Sequence, residues 1–194
     1  MRKANTRIAL KEWAVIVEAL GEGKQILVMR KGGIAEETRH FEVRSDRFFL
    51  YPAYEHQKEE LLKPEYKGEI AKTLQSWSPE QKTATIKYFA ELYEDIEVMD
   101  EEALFRLAPH HIWTNDFAHE RLKWKKKLPL HLLLLRVYRL DQPVQIPVRP
   151  EYLGCKSWHE VPEELAEYSG EPVMEDQAFL TEVNQIKALL AEKK

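Results

Sequence analysis

Residues 121–127, RLKWKKK, place five cations in seven positions around Trp124. Arg121, Lys123, Lys125, Lys126 and Lys127 could neutralise phosphates, and Trp124 among them could stack on a base. A second group lies at residues 30–34, RKGGI, where Arg30 and Lys31 precede two glycines. Gly32 and Gly33 permit positive φ and close backbone approach, which suits a phosphate or carboxylate beside the two cations. The competing reading is a glycine-rich loop with solvated charges. The third group is residues 50–57, LYPAYEHQ, with Tyr51, Tyr54, His56 and Gln57. His56 could act as a general acid or base near neutral pH, and Gln57 could read an amide or base edge. Alternatively, His56 opens a helix over residues 55–62 and the tyrosines pack on the core.

Spacing excludes several other chemistries. No Gly-Lys-Ser/Thr follows the glycines, so residues 30–34 are not a P-loop. Residues 33–37, GIAEE, start like a Nudix box but lack its downstream Arg-Glu and Glu-Glu elements. His111 and His119 stand at neither a zincin nor a zinc-finger spacing. A single cysteine, Cys155, rules out an intrachain disulfide and a multi-cysteine zinc site. Neither a metal nor a cofactor is expected. Cys155 is either activated by Lys156 or simply buried.

These groups must be held by a fold of 194 residues, 44% apolar and 32% charged. That is enough to bury a sizeable core. The net charge is −4, yet residues 121–156 carry nine Lys/Arg against Asp141 and Glu151. Such asymmetry favours a polyanion-facing surface. Residues 130–140, LHLLLLRVYRL, read as a central strand emerging from the basic segment, with Arg136 on it. Residues 9–20 lean towards a strand, and with a turn at 21–24 and a strand at 25–30 they suggest a hairpin. Short strands are expected at 41–43 and 48–51, a surface excursion at 63–82 and β character at 83–98. Asp100 caps a helix over 101–107, and Thr114 or Asn115 caps one reaching about Trp124, with Phe117 and Arg121 on one face. Trp113, just before it, is a further candidate for base stacking. Pro143, Pro147 and Pro150 mark a segment excluded from a sheet interior. Phe179, Val183, Ile186 and Leu190 recur at 4, 3 and 4, as on an amphipathic C-terminal helix.

Six motifs taken in order resemble a known family. They are Glu12-Trp13-Ala14, Arg30-Lys31-Gly32-Gly33-Ile34, and Phe49-Leu50-Tyr51-Pro52 with His56-Gln57. Arg121-Leu122 with Trp124 follows, then the run from Leu135 to Leu140, then Gly154-Cys155-Lys156-Ser157-Trp158. Over residues 9–158 the chain resembles the bacterial family called domain of unknown function 1802. The resemblance implies no catalytic residues. Some members carry the domain fused to a restriction-endonuclease-like domain, which implies work beside a nuclease in restriction-modification or DNA processing. The nuclease chemistry itself is not expected, because Glu94, Asp95 and Glu97 lack the lysine such a strand needs beside its Mg²⁺-binding acids.

The expected fold is α+β: one core domain over residues 1–160, with a mixed, mainly antiparallel sheet and peripheral helices, as in a small PUA-like barrel. Residues 161–194 form an acidic extension whose helix packs on the core or on a partner. The expected function is a nucleic-acid-binding module, with DNA or RNA and a nuclease protein as partners. Its contacts would be Arg30, Lys31, Gly32, Gly33, Tyr51, Tyr54, Gln57, Trp113, Arg121, Lys123, Trp124, Lys125, Lys126, Arg136 and Lys156. Two alternatives stand beside it: an enzyme on a nucleotide or small anion with His56 as acid/base, and an interaction module docking through the C-terminal helix. No secretory or membrane-spanning segment is read, and the expected location is cytoplasmic.

Overall fold

The first apolar stretch divides between a strand and a helix. In the computed structural model, which describes residues 7–31, 41–162, 165 and 168–192, β1 covers Ile8–Trp13 and α1 covers Ala14–Gly21. The break is built by side chains: Glu12 Oε1 accepts from its neighbour's amide, Trp13 N, at 2.8 Å, and Gln57 Oε1 accepts from Val15 N at 2.9 Å. Seven of the eight residues of α1 are buried. A helix buried all round shows no polar face, so its β-branched residues read as a strand. The hairpin expected here is therefore absent. β1 runs parallel to β3 (Arg47–Ala53), and β2 (Leu27–Arg30) pairs antiparallel with β5 (Leu130–Pro147).

β5 is the axis of the sheet, as its apolar run and alternation predict. It pairs with β2, with β4 (Thr83–Val98) and with β7 (Gly170–Pro172). The strand order is β2-β5-β4-β3-β1-β6, with β6 at Trp158–Glu160 and β7 beside β5, and only the β1–β3 pair is parallel. The strand also continues through Pro143 and Pro147, beyond the expected limit. Pro143 falls in a register shift, where Tyr88 faces Arg139 but Ile86 faces Val144, and Pro147 is the strand's last residue. A bulge and a strand end are positions that need no proline N–H. Residues 41–43, expected as a strand, lie in none.

Alternation divides the buried residues between two faces. Leu10, Leu50, Leu132 and Leu134 join the larger core with α1, whereas Ala9, Phe49, Phe89 and Ile146 join a smaller one. Within residues 63–82 the chain forms α2, Glu69–Leu74. α3 (Glu101–Arg106) starts as expected, with Asp100 Oδ1 accepting from Glu102 N at 3.0 Å. α4 covers Asn115–Lys123 and α5 covers Asp176–Ala191. The stripe of α5 faces the protein's own core: Phe179, Val183 and Ile186 are buried, and Phe179 meets Tyr93 edge-on. Arg136 NH2 donates to Asp176 Oδ1 at 2.5 Å, and His110 Nδ1 meets Glu182 Oε1 at 2.6 Å, fastening the same helix. The apolar stripe predicted by the docking-helix alternative is thus largely covered from within.

Gly21 closes α1 against Tyr88. A Cβ there would lie 2.1 Å from Tyr88 Cζ, and the ring is held by its hydroxyl, which donates to Glu18 at 3.4 Å. Gly21→Ala is expected to lower the free energy of unfolding by about 1–3 kcal/mol in urea titrations, because the ring must move out of a filled site. An unchanged midpoint would show that Tyr88 swings aside freely.

Candidate nucleic-acid interface

The sheet's hydrogen bonds do not close into a barrel among the described residues, because no ladder joins β2 to β6. Arg30, the last residue of β2, spans that seam. Its NH1 donates to the Lys11 carbonyl at 3.3 Å and to Glu12 Oε2 at 3.2 Å, and its NH2 donates to Ser157 Oγ at 2.5 Å. Glu12 alternates with Leu10 and so points into the larger core, where it is 4% exposed. A carboxylate placed there needs a cation, and Arg30 supplies it. Phe41 fills the rest of the seam: its ring lies under the Arg30 guanidinium at 5.8 Å, stacks on Trp158 at 6.1 Å and approaches His131 at 5.3 Å.

The basic segment joins the seam through α4. Arg121 sits over the Phe117 ring, one turn earlier, at 5.0 Å, as the shared helix face predicts. Burial first, and then the nearby Arg30 charge, lower its pKa from the ordinary arginine value, while Glu12 and Glu120 oppose them. The buried Lys31 donates from Nζ to the Leu122 carbonyl, and burial lowers its pKa. Two groups separated by ninety positions in the sequence are therefore adjacent in space. The inner cations, Arg30, Lys31 and Arg121, are engaged with the protein. Lys123, Lys126 and Lys127 are exposed, and Trp124 beside them is 46% exposed. Lys125 turns the chain there with φ at 49°, and Leu128 N returns to its carbonyl at 2.9 Å.

The other predicted residues are dispersed. Trp113 is fully buried and stacks flat on Phe117 at 4.3 Å, so its ring face already has a partner. Arg136 is buried under α5 against Phe179. Tyr51 packs in the smaller core against Tyr152, where burial raises its pKa to about 12. Tyr54 is half-buried on Trp77. Gln57 spends its amide on Val15 N and the Tyr54 carbonyl, so it holds the start of α1. His56 is exposed at φ 65°, in a loop that starts no helix until a 3-10 turn at Glu59–Leu61. Lys156 is exposed, one residue before Ser157. Gly32 and Gly33 lie outside the described residues. Cys155 is exposed.

Residue patterns alone did not single out Glu12, Ser157 or the Asp95–His131 pair. His131 faces Arg30 across the β2–β5 ladder, and its Nδ1 meets Asp95 Oδ1 at 2.9 Å and Oδ2 at 3.1 Å. A carboxylate on Nδ1 fixes the imidazole's orientation and, when the ring is neutral, leaves Nε2 as the acceptor. The one available signal for Glu12 is its place on the core face of an alternating strand. Among the described residues no group of three or more His, Cys, Asp or Glu is placed to hold a metal ion. No described helix is long and apolar enough to cross a membrane.

An α+β protein with a mostly antiparallel sheet, an arginine-bridged seam and a cationic rim is what these observations define. The chain belongs to the family described as Domain of unknown function (DUF1802), whose model matches residues 9–185. No curated protein matches it. Among solved structures it is similar to ASCH from Zymomonas mobilis, at 14% identity over 84% of this chain and 95% of that one, with a TM-score of 0.46. Two mutants of that protein match at 13% identity over 85% of this chain. They are covered to 100% and 92%, with TM-scores of 0.46 and 0.44.

Proposed function

We propose that this protein is a nucleic-acid-binding module whose contact surface is the segment from Lys123 to Lys127. The observation that carries the reading is the exposure of Lys123, Lys126 and Lys127 around a half-exposed Trp124. Lys31 and Arg121 back that segment and add positive field without reaching out themselves, while the charge of Arg30 is matched by Glu12. Lysines on a flexible stem meet phosphates without regard to sequence, and an exposed indole stacks on any unpaired base. DNA or RNA in single-stranded form is the preferred target, since stacking requires a base free of its partner. A role beside a nuclease in DNA processing, which the family resemblance implied, completes the proposal.

Fluorescence anisotropy with labelled single- and double-stranded DNA and RNA tests it at low and physiological salt. Affinity is expected to fall as salt rises, and Lys125→Glu/Lys126→Glu to weaken binding by about tenfold or more. Trp124→Ala is expected to cost single-stranded binding about tenfold and duplex binding little. Absence of binding to every oligonucleotide at low salt overturns the reading.

A further inference from the structure

A cleft of about 490 Å³ opens between α1, α2 and the beginning of β4, and the nucleic-acid reading leaves it unused. Its volume is within the range that holds small molecules. Three lysines line it, and each is matched by a carboxylate that also lines it. Lys87 meets Glu18 at 2.7 Å, Lys24 meets Glu22 at 2.5 Å and Lys72 meets Glu69 at 2.6 Å. With the charges cancelled in pairs, an anionic ligand gains no net attraction there.

The back wall is polar in a different way. Thr83 and Thr85 alternate along β4 and project from one face, and Gln145 of β5 stands opposite Thr85. Ala84 and Ile86, on the other face, are buried in the smaller core. The hydroxyls of Thr83 and Thr85 and the amide of Gln145 have no hydrogen-bond partner among the described residues. Together they offer donors and acceptors side by side, the pattern that hydroxyls on a ring can answer. Aromatic faces complete the lining. Tyr54 lies nearly parallel to Trp77 at 5.5 Å, and burial raises the pKa of its phenol, which therefore remains a donor. Tyr66 lies under Lys24 Nζ at 5.9 Å.

We propose that this cleft binds an uncharged polyhydroxylated ring compound, a nucleoside or a free sugar, through Thr83, Thr85, Gln145 and the Tyr54 ring. The hydroxyl and amide wall would take the ring hydroxyls, and the tyrosine would cover an apolar ring face. The site does not depend on the basic segment and stands or falls separately from nucleic-acid binding.

Isothermal titration calorimetry of the full chain with adenosine, cytidine, guanosine, uridine, ribose and glucose tests the proposal, with adenosine monophosphate as the charged comparison. Saturable binding of nucleosides without sugars, or of sugars without nucleosides, supports it and identifies the source. Thr85→Val, which keeps the shape and removes the hydroxyl, and Gln145→Leu are each expected to weaken that binding about tenfold, the loss of roughly one hydrogen bond. Circular dichroism and thermal unfolding establish that the variants are folded, and the conservative Thr85→Val serves alone if Gln145→Leu is not. The proposal is overturned by no saturable binding of any probe, by binding that both folded variants leave unchanged, or by tighter binding of adenosine monophosphate than of adenosine.

Discussion

Arg30→Met is expected to destabilise the protein by about 3–5 kcal/mol in urea denaturation, the usual cost of stranding one member of a buried ion pair. Glu12 is almost wholly buried on the core face of β1, and Arg30 is the cation that bonds its carboxylate. Methionine keeps the length of the side chain but loses the contacts to Lys11, Glu12 and Ser157 at once. Those contacts tie the end of β2 to β1 and to Ser157, beside β6, so the seam should open as well. Arg121 lies near enough to feel both charges and could take up part of the load. The double variant Glu12→Leu/Arg30→Met distinguishes the two costs. If the uncompensated charge dominates, removing both partners should restore most of the loss, because an apolar pair of similar volume often replaces a buried ion pair without penalty. If the seam dominates, the double variant remains as unstable as the single one. A loss below about 1 kcal/mol for Arg30→Met would mean that Arg121 neutralises Glu12 unaided.

What the sequence revealed of this fold follows from where each element's information resides. β5 was legible because an apolar run and an alternation after it both occur within the strand. α5 was legible from the spacing of Phe179, Val183 and Ile186, and α3 from Asp100 and the acids behind it. α1 was not, because a helix buried on every side has no period for a polar face to reveal. β1 and β3 pair in parallel across thirty-three intervening positions, and no local pattern specifies that partner. The proline boundary misled for a related reason: register against β4, not composition, decides that Pro143 falls in a bulge.

The candidate site divides in the same way. The basic segment and its exposed indole were readable as types. An aromatic or arginine side chain looks alike in sequence whether it packs or projects, so Trp113, Arg136 and Tyr51 could be placed only by the fold. Glu12 and Ser157 entered only within motifs of the family resemblance, and the fold supplies their physical role as partners of Arg30.

Acid should weaken the protein through His111 even where no carboxylate of an ion pair has been protonated. The ring is 2% exposed, and neither nitrogen meets a hydrogen-bond partner of good geometry. Burial, followed by the Lys63 charge and His110 and opposed by the Trp113 backbone, lowers its pKa from 6.5 to about 3. Lys63 cannot withdraw easily, since its Nζ donates to the carbonyls of Ala108 and His111. In the unfolded chain the imidazole titrates near its ordinary value, so between that pH and about 3 the unfolded state binds more protons. Stability therefore falls as the pH drops below about 6.5, and the loss is complete only below the folded pKa. At pH 4.5 the deficit from this one group is on the order of 2–3 kcal/mol relative to pH 7. His159, lowered to about 4 chiefly by burial, adds to it over the upper part of the same window. Replacing His111 by glutamine removes the titration. Urea midpoints of His111→Gln should therefore decline less between pH 7 and pH 4.5 than those of the parent. Parallel pH profiles for the two proteins would mean that the buried imidazole is protonated in the folded state after all.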